Sequence, residues 1–379
     1  MTDKSKRVGI ALSGGGVRAA AFHAGVLLWL AERGQLEAIR HISSVSGGSL
    51  FAGLVFQHSG YTWPSSEVYS KRVFPAIRTT LTSTSLQTNA LLRLLFPLNW
   101  RFFLSRANVL SQSIRHVWGI TGPLSKLPVQ PTWTINGTTA ENGRRFRFKG
   151  TKLGDYELGY ADAPNFPLAD AMAISAAFPG GVGPLKIFAD RFEWEKRKIW
   201  DWSTIPEKVE PTFRRIHIYD GGVYDNLGLE PFFDLGKQVI KTETGSPPID
   251  FVIVSDAGAA FGRQQIPGPL HLRRLERVAN IGFDQARSLR VRSFVNFLQS
   301  NVGYGMYLQI GSDPVASIKK YGEKSLINEK QDWLQPENVT KAATYPTCLS
   351  QMEEMDYDLL SLHGYQTAKW NEQVFSNAD

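Results

Sequence analysis

The sequence predicts an α/β fold: a three-layer α/β/α sandwich around a mixed, mostly parallel central sheet. Two observations carry that prediction. A short apolar strand, a glycine-bearing turn and a helix follow one another twice within the first 60 residues. Strands that alternate with helices in this way pair in parallel, with helices on the faces of the sheet. Further on, two more apolar strands end in polar residues flanked by glycine, at Asp220-Gly221-Gly222 and Asp256-Ala257-Gly258. The carboxyl ends of strands are where open α/β sheets build their sites.

Taken in order, Val8 to Leu12 is a short apolar strand that meets Ser13-Gly14-Gly15-Gly16, and Val17 to Arg33 is a helix ending at Gly34. His41 to Val45 reads as the second strand and Gly47 to Phe56 as the second helix. Residues 60 to 130 are less regular. Thr132 to Asn136 alternates as a strand, with Arg144 to Phe148 as its hairpin partner across Glu141-Asn142-Gly143. Leu168 to Ala177 is helical and stops before Phe178-Pro179-Gly180-Gly181. The charged, tryptophan-bearing stretch Arg191 to Glu210 reads as a surface excursion. Arg215 to Tyr219 and Phe251 to Ser255 are strands, and Met306 to Ile310 an edge strand. Leu272 to Leu298 has apolar residues at helical spacing with arginines on the other face, which marks a packing helix rather than a reader of nucleic acid. Leu349 to Leu362 closes the chain with a helix capped by Gly364.

Bulk composition narrows the function classes. At 379 residues, 42% hydrophobic and 20% charged, the chain has the make-up of an ordinary globular protein of one large α/β domain or two small ones. A single cysteine, Cys348, excludes an intrachain disulfide and CxxC-type metal sites. No run of about 18 uncharged apolar residues predicts a transmembrane helix, and Met1 to Arg7 leads into the first strand without an apolar signal segment, so a cytoplasmic protein is expected. The net charge of +7 fits either an anionic partner or a mildly basic soluble protein. The basic residues scatter, with concentrations at 144–149 and between Arg273 and Arg292.

Ser46 stands at the hinge between the second strand and its helix, followed by Gly47 and Gly48. That is the layout of a nucleophile elbow, in which a tight turn exposes a serine hydroxyl. A serine before a helix also reads as an N-cap. Serine hydrolysis further needs a base and an oxyanion hole. Gly14, Gly15 and Gly16 can turn their amides toward a substrate because they lack Cβ; such donors are worth roughly 3 kcal/mol each. The histidines are poorly placed as bases. His217 is offset by three from Asp220, so alternation points the two to opposite faces. His23 lies inside the first helix and His41 at the far end of the second strand. A serine–aspartate dyad of Ser46 and Asp220 is therefore favoured, with Asp225 and Asp256 as rival carboxylates.

This set resembles the patatin-like phospholipase family. In that family a Gly-Gly-Gly-x-Arg/Lys loop supplies the oxyanion hole, a G-x-S-x-G elbow the nucleophile, and an Asp-Gly-Gly/Ala segment the base. Here Gly14-Gly15-Gly16-Val17-Arg18, Ser44-Val45-Ser46-Gly47-Gly48 and Asp220-Gly221-Gly222 stand in those positions, and Ser175-Ala176-Ala177-Phe178-Pro179 matches a fourth segment. The elbow departs from the pattern in carrying Ser44 where the family has glycine. The resemblance implies a catalytic core over residues 8–235, with an irregular insertion over about 60–130, and strands and helices over 236–379 that complete the same α/β domain. It also implies hydrolysis of phospholipid or another acyl-ester lipid, of phospholipase A or lysophospholipase type, through an acyl-enzyme. Ser46 would be nucleophile and Asp220 proton acceptor, with Arg18, Gly48, Gly221, Gly222 and Pro179 in support. No metal or organic cofactor is needed, and no nucleic acid partner is expected.

Two other readings remain open from sequence. Gly14-Gly15-Gly16-Val17-Arg18-Ala19 also satisfies the dinucleotide pattern G-x-G-x-x-A, with Glu32 and Glu37 near the position of a ribose-binding acid. The chain also fits an inactive relative that binds lipid or protein in the same pocket. Residues 91–104, rich in Leu, Phe and Trp with interleaved arginines, read either as a buried helix broken by Pro97 or as a segment that contacts an anionic membrane peripherally.

Overall fold

The computed structural model describes residues 6–179, 181–197, 205–259, 273–322 and 332–375, with residues 262, 265, 266, 268 and 271 between them. Met1 to Ser5, Gly180 and Leu272, which enter the sequence expectations, lie outside the described residues.

The two leading units form as β1 (Val8–Leu12), α1 (Gly16–Glu32), β2 (Ile39–Ser44) and α2 (Gly47–His58). The next stretch is helical rather than irregular, with α3 (Ser66–Val68), α4 (Phe74–Ser83), α5 (Leu86–Leu94) and α6 (Ala107–Val117). Its signal is masked by composition. Tyr69, Val73, Ile77 and Leu81 are buried at a spacing of four, but the residues around them are threonines and serines of low helix propensity. Several of those hydroxyls bond back to the carbonyl four residues earlier: Thr79 to Pro75, Thr80 to Ala76 and Ser83 to Thr79.

The remaining elements are β3 (Thr132–Thr139), β4 (Arg145–Lys149), β5 (Lys152–Asp155), β6 (Gly159–Asp162), α7 (Leu168–Ser175), β7 (Leu185–Phe188), β8 (Trp194–Lys196), β9 (Glu207–Val209), β10 (Arg215–Asp220), α8 (Gly222–Asp225), β11 (Phe233–Asp234), β12 (Val239–Ile240), β13 (Phe251–Asp256), α9 (Arg273–Ser300), β14 (Gly305–Gln309), α10 (Pro314–Tyr321), α11 (Pro336–Thr344) and α12 (Glu354–Phe375). The main sheet runs β14-β13-β1-β2-β3-β4-β5-β6-β8-β9, with β10 and β7 branching from β3. β14 to β3 form a parallel core, and from β3 outward an antiparallel wing continues the sheet. The expected surface excursion contributes β8 and β9 to that wing. Its Trp194 is buried, donating to Ala189 O at 2.9 Å, because the indole joins the main apolar core; residues 198–204 lie outside the described residues.

Side-chain alternation makes the three layers. Ile10, Leu12 and Ile253 pack toward α1, while Ala11, Val252 and Val254 join Phe294 and Phe297 of α9 on the opposite face. α9 also turns two arginines inward, contrary to the expected outer basic face. Arg287 pairs with the buried Asp256 at 2.6 Å and Arg290 with Asp225 at 3.5 Å.

The C-terminal helix does not stop at Gly364. α12 runs through it to Phe375, because this glycine serves helix packing and not capping. A methyl group on Gly364 would sit 2.0 Å from Phe22 O of α1, and one on Gly25 would sit 1.7 Å from Ser361 O of α12. The two helix backbones touch through paired glycines. Gly25→Ala is therefore expected to force α1 and α12 apart and to lower the unfolding free energy by about 1–3 kcal/mol, measured by urea denaturation. An unchanged midpoint would contradict this contact.

Candidate active site

The site is assembled where β2 ends. β3 is longer than β2 and continues past it. Its first half pairs in parallel with β2, ending at Ser44 opposite Ile135. Its second half pairs along the same edge with antiparallel β10, where Asp220 lies opposite Gly137. Asp220 thus arrives at the point where β2 turns into the elbow. Gly221 is needed for this approach, since a methyl group there would sit 2.5 Å from Asn136 O. The Asp220 amide donates to Ala177 O at 3.1 Å, and Thr138 Oγ1 donates to Asp220 O at 2.9 Å.

Ser46 sits at φ 50° and ψ −119°, a left-handed conformation that a non-glycine residue adopts only when its surroundings impose it. Its side chain does not cap α2; the hydroxyl lies near enough to the Asp220 carboxyl to favour its ionised form. The elbow is possible because neighbouring chains lack Cβ atoms. A methyl group on Gly47 would sit 2.3 Å from Gly16 O, one on Gly48 2.3 Å from Leu12 O, and one on Gly14 3.0 Å from Ser46 Cβ.

A row of hydroxyls supports the turn from below. Trp133 Nε1 donates to Ser44 Oγ at 2.8 Å, Ser44 Oγ bonds Ser49 Oγ at 2.8 Å, and Ser49 Oγ bonds Ser175 Oγ at 2.8 Å. The Ser46 amide donates to both Ser175 O, at 3.1 Å, and Ser175 Oγ, at 3.0 Å. Ser44 is thus the start of a buried chain that ends on the Ser46 amide. Pro179 stands beyond this region, after Ala177 and the exposed Phe178, half-buried.

Asp220 is 2% exposed. Burial pushes its carboxyl up to about 7, against the opposing pull of the Gly222 amide, which donates to it at 2.7 Å, and of the nearby Ser46. The rival carboxylates are engaged elsewhere. Asp225 accepts from the Leu227 and Glu230 amides. Asp256 accepts from Arg287 and, at 2.6 Å, from Tyr307 Oη on the α9 face of the sheet. The histidines are engaged as well. His23 contacts Ser255 Oγ at 2.7 Å and Ser13 O at 3.0 Å, and burial pulls it down to about 4. His41 contacts Thr134 Oγ1 at 2.8 Å, and His217 points away from Asp220 to Glu141 at 2.7 Å.

The glycine loop lies beside Ser46 at the start of α1. Gly15 has φ 147° and Gly16 φ 62°. Among the described residues the Gly15 and Gly16 amides donate to no other group, whereas the Gly14 amide donates to Asn226 O at 3.1 Å. Gly14 is therefore occupied as a donor, and its contribution is space: a methyl group on it would meet Asn226 Oδ1 at 2.4 Å. Asn226 Oδ1 also lies close to Gly222, at 2.7 Å from a methyl group there. This side chain, between the glycine loop and the Asp220 turn, has no signal in the sequence beyond being polar after a short helix. Arg18 is buried and holds the loop, donating to Ala257 O at 3.2 Å and Tyr345 O at 2.6 Å, and burial pulls it down to about 10. The next amide of α1 is taken: Val17 donates to Cys348 O at 3.0 Å, and a methyl group on Gly16 would meet that oxygen at 2.3 Å, so the 348 segment crosses one side of this helix end. A dinucleotide pyrophosphate is larger than an oxyanion and would need that side as well.

Residues 91–104 are not a buried helix. α5 ends at Leu94 and a short 3₁₀ turn spans Pro97–Phe102 with no buried residue. Leu98 and Leu104 are 82% and 84% exposed, beside exposed Leu95, Phe96, Trp100 and Phe103. The segment leans on the loop after Ala177, through Ser105 Oγ to Pro184 O at 2.5 Å and Arg106 to Gly181 O at 3.4 Å. No described helix is long and apolar enough to cross a membrane. Among the described residues, no group of three or more His, Cys, Asp or Glu side chains is arranged to hold a metal ion.

The patatin-like phospholipase profile matches residues 10–233. No curated protein matches the sequence. Among solved structures, human GIVD cytosolic phospholipase A2 is similar at a TM-score of 0.54 and 13% identity, over 98% of this chain and 59% of that one. Its complex with methyl γ-linolenyl fluorophosphonate gives a TM-score of 0.50 and 14% identity, over 98% and 58%. VipD from Legionella pneumophila aligns at 14% identity and a TM-score of 0.37, over 97% and 67%. The likeness to the human enzyme is one of fold, and the chain spans less than two thirds of that enzyme's length.

Restoring the family's glycine at the elbow is expected to harm this protein. Ser44→Gly leaves the buried Trp133 N–H without its acceptor, costing about 1–3 kcal/mol. Thermal unfolding of the variant measures the loss, and an unchanged or raised midpoint would show that the hydroxyl row carries no weight.

Proposed function

The chain belongs to the patatin-like phospholipase family, and from that premise we propose that it is a lipid acyl hydrolase of phospholipase A or lysophospholipase type. One observation carries the assignment of roles: a strained, partly exposed Ser46 beside a buried aspartate titrating near 7, whose ionised form the serine favours. A carboxylate tuned to neutral pH is matched to accepting a serine proton.

In this reading Asp220 takes the Ser46 proton as Oγ attacks the ester carbonyl carbon. The amides of Gly15 and Gly16 receive the oxyanion. Collapse releases the alcohol portion, which takes back the proton from Asp220, and leaves the acyl group on Ser46. Asp220 then deprotonates water, which attacks the acyl-enzyme; as the fatty acid leaves, the proton on Asp220 passes to Ser46 Oγ and both groups are restored. Gly48, Gly221 and Gly222 support this by close backbone approach, Arg18 by fixing the glycine loop, and Pro179 by ending the segment against which Asp220 is held. The Cys348 carbonyl that occupies the Val17 amide argues against the dinucleotide alternative.

Purified Ser46→Ala and Asp220→Asn variants, given defined phospholipid vesicles with products identified by mass, are each expected to lose at least about 1,000-fold in turnover. A fluorophosphonate probe should label the wild type and leave Ser46→Ala unlabelled. Retained turnover in Ser46→Ala would overturn the mechanism, and an unlabelled, inactive wild type would establish the inactive-relative reading.

The pH dependence follows from Asp220. Its protonated form cannot accept the serine proton, so kcat/KM should rise about tenfold per unit up to pH 7 and level off above it. Because the folded state raises this pKa from 3.8 to about 7, ionisation costs stability as pH rises through that window, and the cost is complete above 7. Asp220→Asn should therefore be more stable than wild type at pH 8, by at least about 1 kcal/mol, with no such gain at pH 3.5. Urea titrations at both values test this; equal effects would refute it.

The reading includes peripheral contact of residues 91–104 with an anionic membrane, Leu, Phe and Trp entering the acyl region and Arg93 and Arg101 meeting phosphates. Leu98→Glu with Leu104→Glu should lower activity on vesicles by about tenfold or more and leave hydrolysis of a soluble short-chain ester unchanged. Equal activity on vesicles would remove the membrane role from this segment.

A further inference from the structure

The antiparallel wing holds a second concavity that none of the Ser46 site residues lines. It is a cavity of about 980 Å³, within the size range of small-molecule sites. Strand alternation supplies its floor. Phe146 and Phe148 of β4 face the core, and Arg145, Arg147 and Lys149 face the cavity. Lys152 and Lys241 add two more cations to its wall, Lys241 paired with Glu230 at 3.0 Å; Glu157 and Glu195 line the rim as well, so that basic groups still outnumber acidic ones, and Tyr160 and Tyr224 add hydroxyl-bearing rings.

One carboxylate stands among the floor cations. Glu243 is buried, bonded by Arg145, by Arg147 at 2.5 Å, and approached by Lys149 at 3.8 Å. Three cations on one carboxylate leave a local excess of positive charge. Lys149 shows the strain: burial first, and then Arg147, Arg145 and Lys152, bring its ammonium down to about 8 despite Glu243. Buried like charges oppose folding unless a counter-charge completes them. Arginine forks beside lysines match the oxygens of phosphoryl groups in geometry and charge.

The cavity also touches both halves of the catalytic constellation. Arg145 donates to Asn136 Oδ1 at 3.3 Å, and Asn136 Nδ2 donates to Ser44 O at 2.9 Å, two residues before Ser46. Tyr224 belongs to α8, which begins one residue after Gly221 and two after Asp220.

We propose that this cavity is an anion site distinct from the Ser46 site, that it takes a ligand bearing two or more phosphoryl groups, and that its occupancy alters acyl hydrolysis through Arg145 and Asn136. The binding stands on its own; the coupling rests on the hydrolase reading above.

The test uses the full chain and two probes. Calorimetry measures sodium tripolyphosphate binding, with sodium sulfate at equal ionic strength as control. Sedimentation measures binding to phosphatidylcholine vesicles with and without phosphatidylinositol 4,5-bisphosphate. Lys152→Ala with Lys241→Ala, and separately Lys149→Gln, should each weaken binding by about tenfold or more, with thermal unfolding checking that each variant folds. Saturable tripolyphosphate binding lost in both variants supports a soluble ligand. Binding confined to the phosphoinositide vesicles and lost in both variants supports a lipid headgroup. Sulfate competing equally, binding unchanged in the variants, or no binding of either probe overturns the site. For the coupling, saturating probe should change the rate of fluorophosphonate labelling at Ser46 severalfold in the wild type and not in the Lys152/Lys241 variant. An unchanged labelling rate with binding intact overturns the coupling alone, and an unlabelled wild type with binding intact overturns the hydrolase reading and leaves the anion site standing.

Discussion

The left-handed backbone at Ser46 is the constraint on which the rest of the site depends. A φ of 50° at a serine is costly, and the chain holds it by crowding. Gly47 lies against Gly16, Gly48 against Leu12 and Gly14 against Ser46 itself, each closer than a Cβ would allow or at its limit. The glycines of the first loop and of the elbow are thus one packing solution. The same contacts that bring the loop amides near the serine oblige the elbow to turn where it does. The Ser46 amide, bonded twice at Ser175, locks the result from the other side.

A second constraint is topological. An aspartate 174 residues downstream reaches Ser46 because β3 outruns β2 and gives the same edge to β10. Parallel pairing before the elbow and antiparallel pairing after it put a strand end, not a strand face, against the serine. A short carboxylate fits such a place. Asp220 enters along the strand axis into a space closed by Thr138, Ala177 and Gly222. The histidine offset by three on the same strand is delivered to the opposite face, where it meets Glu141.

Much of this was legible in the residues, and the rest was hidden for definite reasons. Short continuous apolar runs at Val8–Leu12 and Phe251–Ser255, and glycines after strands, revealed the parallel core and the location of the loop, elbow and aspartate. The insertion was misread because its apolar stripe at Tyr69, Val73, Ile77 and Leu81 is set among threonines whose helical role appears only in their bonds to preceding carbonyls. Gly364 was misread because a glycine near a helix end signals a cap locally, while its actual partner is Phe22 O of a helix more than 300 residues away in sequence. The inward arginines of α9 look like a solvated face until Asp256 and Asp225 are seen beneath them. Asn226, Asn136 and Ser49 matter only through tertiary contacts, so no local pattern marks them.

The elbow's departure from the family pattern shows how one such contact changes the meaning of a residue. A glycine at position 44 makes room at the turn. A serine there fits only if its hydroxyl, buried at the end of β2, finds partners. Trp133 on β3 and Ser49 on α2 supply them, and Ser175 on α7 carries the row on to the Ser46 amide. Three elements are thereby tied through their side chains to the residue that must stay strained. Ser44 therefore adds to the positioning of Ser46 what glycine could not, and the same tie makes position 44 depend on an indole 89 residues away.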